Sequence, residues 1–492
     1  MKLITDFNWL ARTTRGSCLF TVCVALTGAC GDNDGDPPAA PDAMTPAEVS
    51  YEFESRFTPG QSSVSYSGQV LRQVLISELN AHIGALTPKV ETNPPAAGAI
   101  ANGLLFYFDF DSSTGGDVPL TIATTPALLQ KVFNDVSTDK QLRDKLAGND
   151  ASTDHKPWNT PGNFLGWSEG GDSADTPTEL VLYWFGVLDD LAVARGLGDV
   201  PTDPDGEPIS KVYVTAAGQD LQQLIQKFLT VGVTFSQGVD DYLDDDIDGK
   251  GIRSPNTRDG TSPYSVLEHA WDEGFGYFGA ARDYDQYSDD ELSGAGGRGE
   301  YQSYHDASGD GTIDITREYN FAISVNCAKR DRGSADATDF TKDAFDALVA
   351  GREIIRAAGD TLTAEQLTAL TAESAKVSST WEKCIAATVV HYINETMADM
   401  DAFGSDDYSF EDHAKHWSEL KGFALGLQFN PKSPLHEGTR FADLHGHIGD
   451  APVLANDAGG QDAIDAYKAG LEAARAIMQE AYGFSQANVE AW

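Results

Sequence analysis

Residues 62–83, SSVSYSGQVLRQVLISELNAHI, carry Val64, Val70, Leu71, Val74, Leu75, Leu79 and Ile83 mostly three and four positions apart. That interval follows the turn of an α-helix, so one apolar stripe faces a core and the segment predicts an amphipathic helix. Downstream, Thr125-Pro126 reads as the start of another helix carrying Leu128, Leu129, Val132 and Phe133. Thr176-Pro177-Thr178-Glu179 is a capping box, in which a hydroxyl and a carboxylate answer the free N–H groups opening a helix from Leu180 to Ala194. Ser409 to Asp412 repeats that logic before a helix reaching Phe429. Further periodic stretches lie at 218–236, 263–281, 339–357, 363–402 and 461–482, whereas strand-like alternation is rare and short, as in Leu104 to Phe110. The expected fold class is all-α.

The chain has 492 residues, more than one compact core usually takes, so two packed helical bundles are expected, at about 50–290 and 330–492, joined by residues 291–329. Long Asp/Gly-rich loops separate the helices, and loops of that length in a compact domain usually bind something or are pinned by something. No internal repeat supports a solenoid. With 34 Lys plus Arg against 76 Asp plus Glu, the formal net charge is -42, which repels polyanions and excludes a nucleic-acid partner. The same excess makes cations the natural ligands.

Lys2, Arg12 and Arg15 precede an apolar run from Cys18 to Leu26 that is too short for a stable membrane span, so residues 1–29 read as a secretory signal. Leu26-Thr27-Gly28-Ala29-Cys30 is similar to the lipobox of bacterial lipoproteins, which implies lipidation at Cys30. Gly31 in place of Asp favours the outer membrane by analogy, and residues 30–49 form a Pro/Asp-rich tether. The alternative, an ordinary signal cut near Ala29, also exports the chain. In an oxidising compartment Cys327 and Cys384 are able to pair, closing a loop worth about 4 kcal/mol.

The sharpest short motif runs from Asp306 through Ser308, Asp310, Gly311 and Thr312 to Asp314. Its oxygens fall at loop positions one, three, five, seven and nine, with Gly at six and Ile313 at eight, the pattern of a calcium loop. Arg317 stands where the closing acid belongs, and Glu318 follows as a late ligand. A weaker relative is Asp244-Asp245-Asp246-Ile247-Asp248-Gly249, in which Lys250 and Gly251 break the pattern. A third cluster lies on a predicted helix, where His269 shares a face with Asp272 and Glu273, and Glu268 lies beside Asp272. One imidazole with two or three carboxylates suits iron, manganese or zinc. The bland alternative has these acids capping loops or binding Arg282 and its neighbours. His391 with Glu395, and His413, His416 and Glu419, lie on helix faces able to complete such a site, with His413 and Glu419 as its expected further ligands. His445 and His447 read as loop histidines. HExxH, a phosphate loop and CxxCH are all absent.

Glu268-His269-Ala270-Trp271-Asp272-Glu273-Gly274-Phe275-Gly276-Tyr277-Phe278-Gly279 resembles the signature of the bacterial domain of unknown function 4856 family, related to imelysin. Segments at Ser63–Gln69, Glu318–Phe321, Trp381–Glu382, His391–Asn394, Ser418–Glu419 and Gly426–Pro431 agree, and together the resemblance spans about residues 50–485. It implies an imelysin-like helical fold of two bundles, export, lipidation and a role in iron uptake or regulation. The imelysin GxHxxE motif is altered here: Leu267 replaces its Gly, and Asp272 stands three after His269 with Glu273 next. The expected function is metal binding, iron above all, for an uptake or sensing partner at the cell envelope. The alternatives are a metal-dependent hydrolase with Glu273 as base and a calcium-stabilised scaffold or adhesion protein.

Overall fold

A computed structural model describes residues 49–150 and 155–492, so the signal, Cys30 and almost all of the tether lie outside the described residues. The described chain is helical and, among these residues, has no sheet, only isolated bridges. Its first half carries α1 (Ser67–Gly84), α2 (Leu86–Thr92), α3 (Ala99–Phe108), α4 (Ser112–Gly115), α5 (Phe133–Val136), α6 (Pro177–Gly196), α7 (Leu221–Leu229) and α8 (Val266–Phe278). The second carries α9 (Asp289–Ser293), α10 (Ala322–Gly333), α11 (Phe340–Ala357), α12 (Ala364–Asp401), α13 (Phe410–Gly426), α14 (Arg440–Ile448), α15 (Gly460–Tyr482) and α16 (Gln486–Ala491). No described helix is long and apolar enough to cross a membrane.

The opening helix is buried on more faces than its stripe foretold, because its polar side chains also find partners inside. Gln73 donates to the carbonyl of Tyr277 at 2.9 Å, Arg72 to that of Gln141 at 2.9 Å, and Glu78 accepts from the N–H groups of Thr121 and Ile122 at 2.6 and 3.1 Å. A buried polar group so bonded avoids the cost of desolvation without a partner. Beside α1 lies α8, at a separation that Gly276 permits: a Cβ there would sit 2.7 Å from Cβ of Tyr66. The stretches 50–290 and 330–492, expected as two bundles, pack against one another within one compact unit, residues 48–492. In it α7 lies on α13 and α8 on α11. A disulfide between Cys327 and Cys384 ties α10 to α12.

Two readings of local structure are corrected. Leu104 to Phe110, taken as a strand, belongs mostly to α3, whose first N–H groups donate to the buried Asp189 carboxylate from Gly98, Ile100 and Ala101 at 2.6, 2.8 and 3.2 Å. That remote cap, 88 to 91 positions along the chain, starts the helix where the local sequence offers no capping side chain. The helix expected from Pro126 is absent before Phe133, because residues 127–129 pair instead with the acidic loop: Leu129 N–H donates to Ile313 O at 2.8 Å and Ile313 N–H to Ala127 O at 3.1 Å.

Candidate metal centre

The acids of α8 meet a cation, but it is a guanidinium. Ser265 caps the helix and Glu268 returns the bond to the Ser265 N–H at 2.8 Å, which turns its other oxygen inward. There Arg352 of α11, fully buried, donates to Glu268 Oε1 at 3.0 Å, to Asp272 Oδ1 at 2.9 Å and to Ser63 Oγ at 2.7 Å. Tyr51 OH and the Ser65 N–H complete Asp272 at 2.8 and 3.1 Å. Burial pushes the Asp272 carboxyl up, and Arg352 holds it back. With a guanidinium and these hydrogen bonds already on them, Glu268 and Asp272 are the anchor of a buried ion triad rather than metal ligands. The arginine is Arg352, whereas Arg282 bonds Glu52 and Tyr66, both at 3.0 Å.

The other expected ligands are dispersed. His269 Nδ1 bonds the Ser65 carbonyl at 3.0 Å, leaving Nε2 at 3.8 Å from Glu273, whose Oε1 accepts from Gln69 at 2.7 Å. His413 sits buried on α13 beside Tyr408 at 3.3 Å, and burial pulls its imidazole down to about 4. Glu419 pairs with Lys227 at 3.2 Å and His416 with Asp399 at 2.8 Å, while burial and then Arg330 pull His391 to about 3. His445 and His447, read as loop residues, belong to α14.

In the calcium-like loop, Gly311 has the left-handed φ of +85° and Ile313 is buried, as the pattern requires. Its carboxylates bond the loop's own backbone: Asp306 accepts from Gly311 N–H at 2.8 Å, Asp310 from Thr312 N–H at 2.8 Å and Asp314 from Thr316 N–H at 2.9 Å. Glu318 closes the ring from the thirteenth position, accepting from the Ser308 and Asp314 N–H groups at 2.8 Å each.

Among the described residues, three ligand atoms of His, Cys, Asp or Glu lie within 4.8 Å of one another in one group: His155, Asp244 and Asp246. Past α7 the chain runs through wide π-helical turns, Thr230–Phe235 and Gly238–Tyr242, which bury Asp240 and deliver the acidic loop. Such turns are rare overall and are frequent at functional sites. Asp240 takes His155 Nδ1 at 2.5 Å and the His155 main-chain N–H at 3.4 Å. This fixes the tautomer, so Nε2 faces Asp244 Oδ1 at 3.8 Å and Asp246 Oδ2 at 3.9 Å. Asp244 is almost fully buried; its Oδ2 accepts from Asp246 N–H at 2.8 Å, but its Oδ1 has no hydrogen-bond partner. Burial pulls the imidazole down, yet Asp240, Asp244 and Asp246 outweigh it and raise the His155 pKa. Asp241, beside Lys145, is pushed up to about 7 by burial.

Ligand atoms on one cation with bonds of about 2.1 Å stand about 3.4 Å apart when tetrahedral. The two spacings from the imidazole, 3.8 and 3.9 Å, are a few tenths of an ångström wider, and all three ligand atoms lie within 4.8 Å of one another. The Asp240–His155 pair is the carboxylate–histidine arrangement that orients an imidazole ligand and raises its basicity. Gly251, whose residue type breaks the calcium pattern, is what the loop needs: at φ +48°, a Cβ would lie 2.3 Å from the Asp244 carbonyl oxygen. The DxDxDG run announces half of this centre. Its histidine lies 89 residues upstream of Asp244 with no motif around it, so only the fold reveals it.

A sequence model described as domain of unknown function (DUF4856) matches residues 133–437, a span that includes His155, Asp240 and the acidic loop. No curated protein and no solved structure matches the chain.

Proposed function

The chain belongs to the domain of unknown function 4856 family, and we propose that it is an exported, metal-binding lipoprotein of the cell envelope. It holds a divalent transition metal, iron or a neighbour, on His155 Nε2, Asp244 and Asp246. The observation that carries this reading is Asp244 Oδ1: a carboxylate oxygen buried without a hydrogen bond, 3.8 Å from an imidazole nitrogen whose ring is fixed from behind. Leaving such an oxygen unsatisfied costs about 1–3 kcal/mol, which a cation offsets. An imidazole among carboxylates favours iron, manganese or zinc over calcium. The Asp246 side chain, 57% exposed, leaves an entry and open coordination positions, which suits a metal taken up and passed on to an uptake or sensing partner. Calcium in the 306–318 loop is a second, structural ion, supported by the Gly311 backbone and the closing Glu318. Export and the anchor at Cys30 rest on the lipobox-like run. The hydrolase reading has no comparable support, since Glu273 already accepts from Gln69.

Titration of Mn(II), Fe(II) and Zn(II) into chelator-stripped protein tests the reading. One equivalent bound by the native chain, and lost in Asp244→Ala, is expected. Equal binding by both proteins refutes the assignment.

A further inference from the structure

The segment that carries the metal ligands has a second side. Asp240, Asp244 and Asp246 face His155, whereas Val239, Leu243 and Asp245 line a cavity of about 290 Å³. Its opposite wall is one face of α12, where Thr371, Ala375, Ser378, Ser379 and Lys383 recur at helical spacing. Small side chains along that face leave a groove where larger ones would fill the seam. From Thr371 to Lys383 it follows roughly 18 Å of helix. At about 290 Å³ the volume lies at the lower edge of the roughly 300–1,000 Å³ of pockets for drug-sized ligands, which favours a small, narrow ligand.

Charge decides what does. Glu382, buried at the floor, already accepts from Tyr482 OH at 2.7 Å and from Ser433 and Asn430, so its carboxylate asks nothing of a ligand. Lys432 is paired with Asp245 at the rim. Lys383 has neither a hydrogen bond nor an ion pair among the described residues, in a chain whose acids outnumber its Lys and Arg by 76 to 34. An ammonium left single amid such an excess of carboxylates, at the end of a narrow groove with Val239, Leu243, Pro434 and Ala481 on its walls, matches one ligand class.

We propose that this cavity binds a straight-chain aliphatic monocarboxylate, its chain between α12 and the Val239–Leu243 wall and its carboxylate on Lys383 Nζ. The residues that line it are distinct from His155, Asp244 and Asp246. Calorimetric titration of the full chain with octanoate and, in parallel, 1-octanol tests it. One octanoate per chain is expected, at least tenfold tighter than octanol. Lys383→Met removes that advantage and leaves octanol binding unchanged, while Ser378→Leu, which fills the groove, abolishes both; melting curves verify that the variants fold. Absence of octanoate binding, equal affinity for acid and alcohol, octanoate binding that survives Ser378→Leu, or a Lys383→Met loss shared by octanol would each overturn the assignment.

Discussion

Replacing Arg352 by Met keeps most of the side-chain volume and removes the charge on which the α8 acids depend. Glu268 and Asp272 are 1% and 0% exposed at their side chains, so neither has water to fall back on. Breaking a buried pair by deleting one partner costs about 3–5 kcal/mol, and here two carboxylates lose the same cation. The deficit has a pH signature. Burial already pushes the Asp272 carboxyl up against the restraint of Arg352; without the guanidinium it rises further. A group with a raised folded pKa favours folding below its unfolded value of about 3.9 and loses that contribution as pH rises through the folded value. The variant therefore shows its full deficit near pH 8 and recovers part of it near pH 5. Urea unfolding at both values measures this, and the neutral set Glu268→Gln, Asp272→Asn, Arg352→Met should lose less than Arg352→Met alone. A single-variant loss below about 1 kcal/mol, or one independent of pH, would refute the guanidinium-centred triad.

Asp240→Asn removes the charge that orients and raises His155, so metal affinity falls by about 10–100-fold and its loss on acidification, read by titration at several pH values, shifts to lower pH. Reducing the Cys327–Cys384 bond, which spans 57 residues, lowers unfolding free energy by about 4 kcal/mol, measurable as a shift in urea midpoint. Glu382, lifted to about 6 by burial, stabilises the fold fully below the ordinary glutamate range and loses that contribution as pH climbs through 6. The loss is about 2 kcal/mol between pH 4.5 and 7.5, and Glu382→Gln should flatten that slope in unfolding curves.

Elements whose signals are local were legible in the sequence. The period at 363–402 appears as Ala364–Asp401, and the Thr176 cap before Pro177 appears with Thr176 Oγ accepting from Glu179 N–H at 3.3 Å. What failed depended on partners far along the chain. Residues 127–129 pair with Ile313, some 180 residues away, and no local helix propensity reports that competitor. The α8 acids share a face as their spacing requires, but the cation beside them lies 80 residues from Asp272, so metal and arginine look alike from the motif. The Asp244–Gly249 run was visible as a cation loop; its imidazole was not, because ligands gathered by tertiary packing obey no spacing rule.

The most direct test of the central claim is the transition-metal content of the full chain, purified without chelator, beside His155→Ala and His269→Ala versions of the same chain. One equivalent in the native protein, retained in His269→Ala and missing from His155→Ala, is the predicted result. Metal retained in His155→Ala and missing from His269→Ala would return the site to α8 and contradict the account.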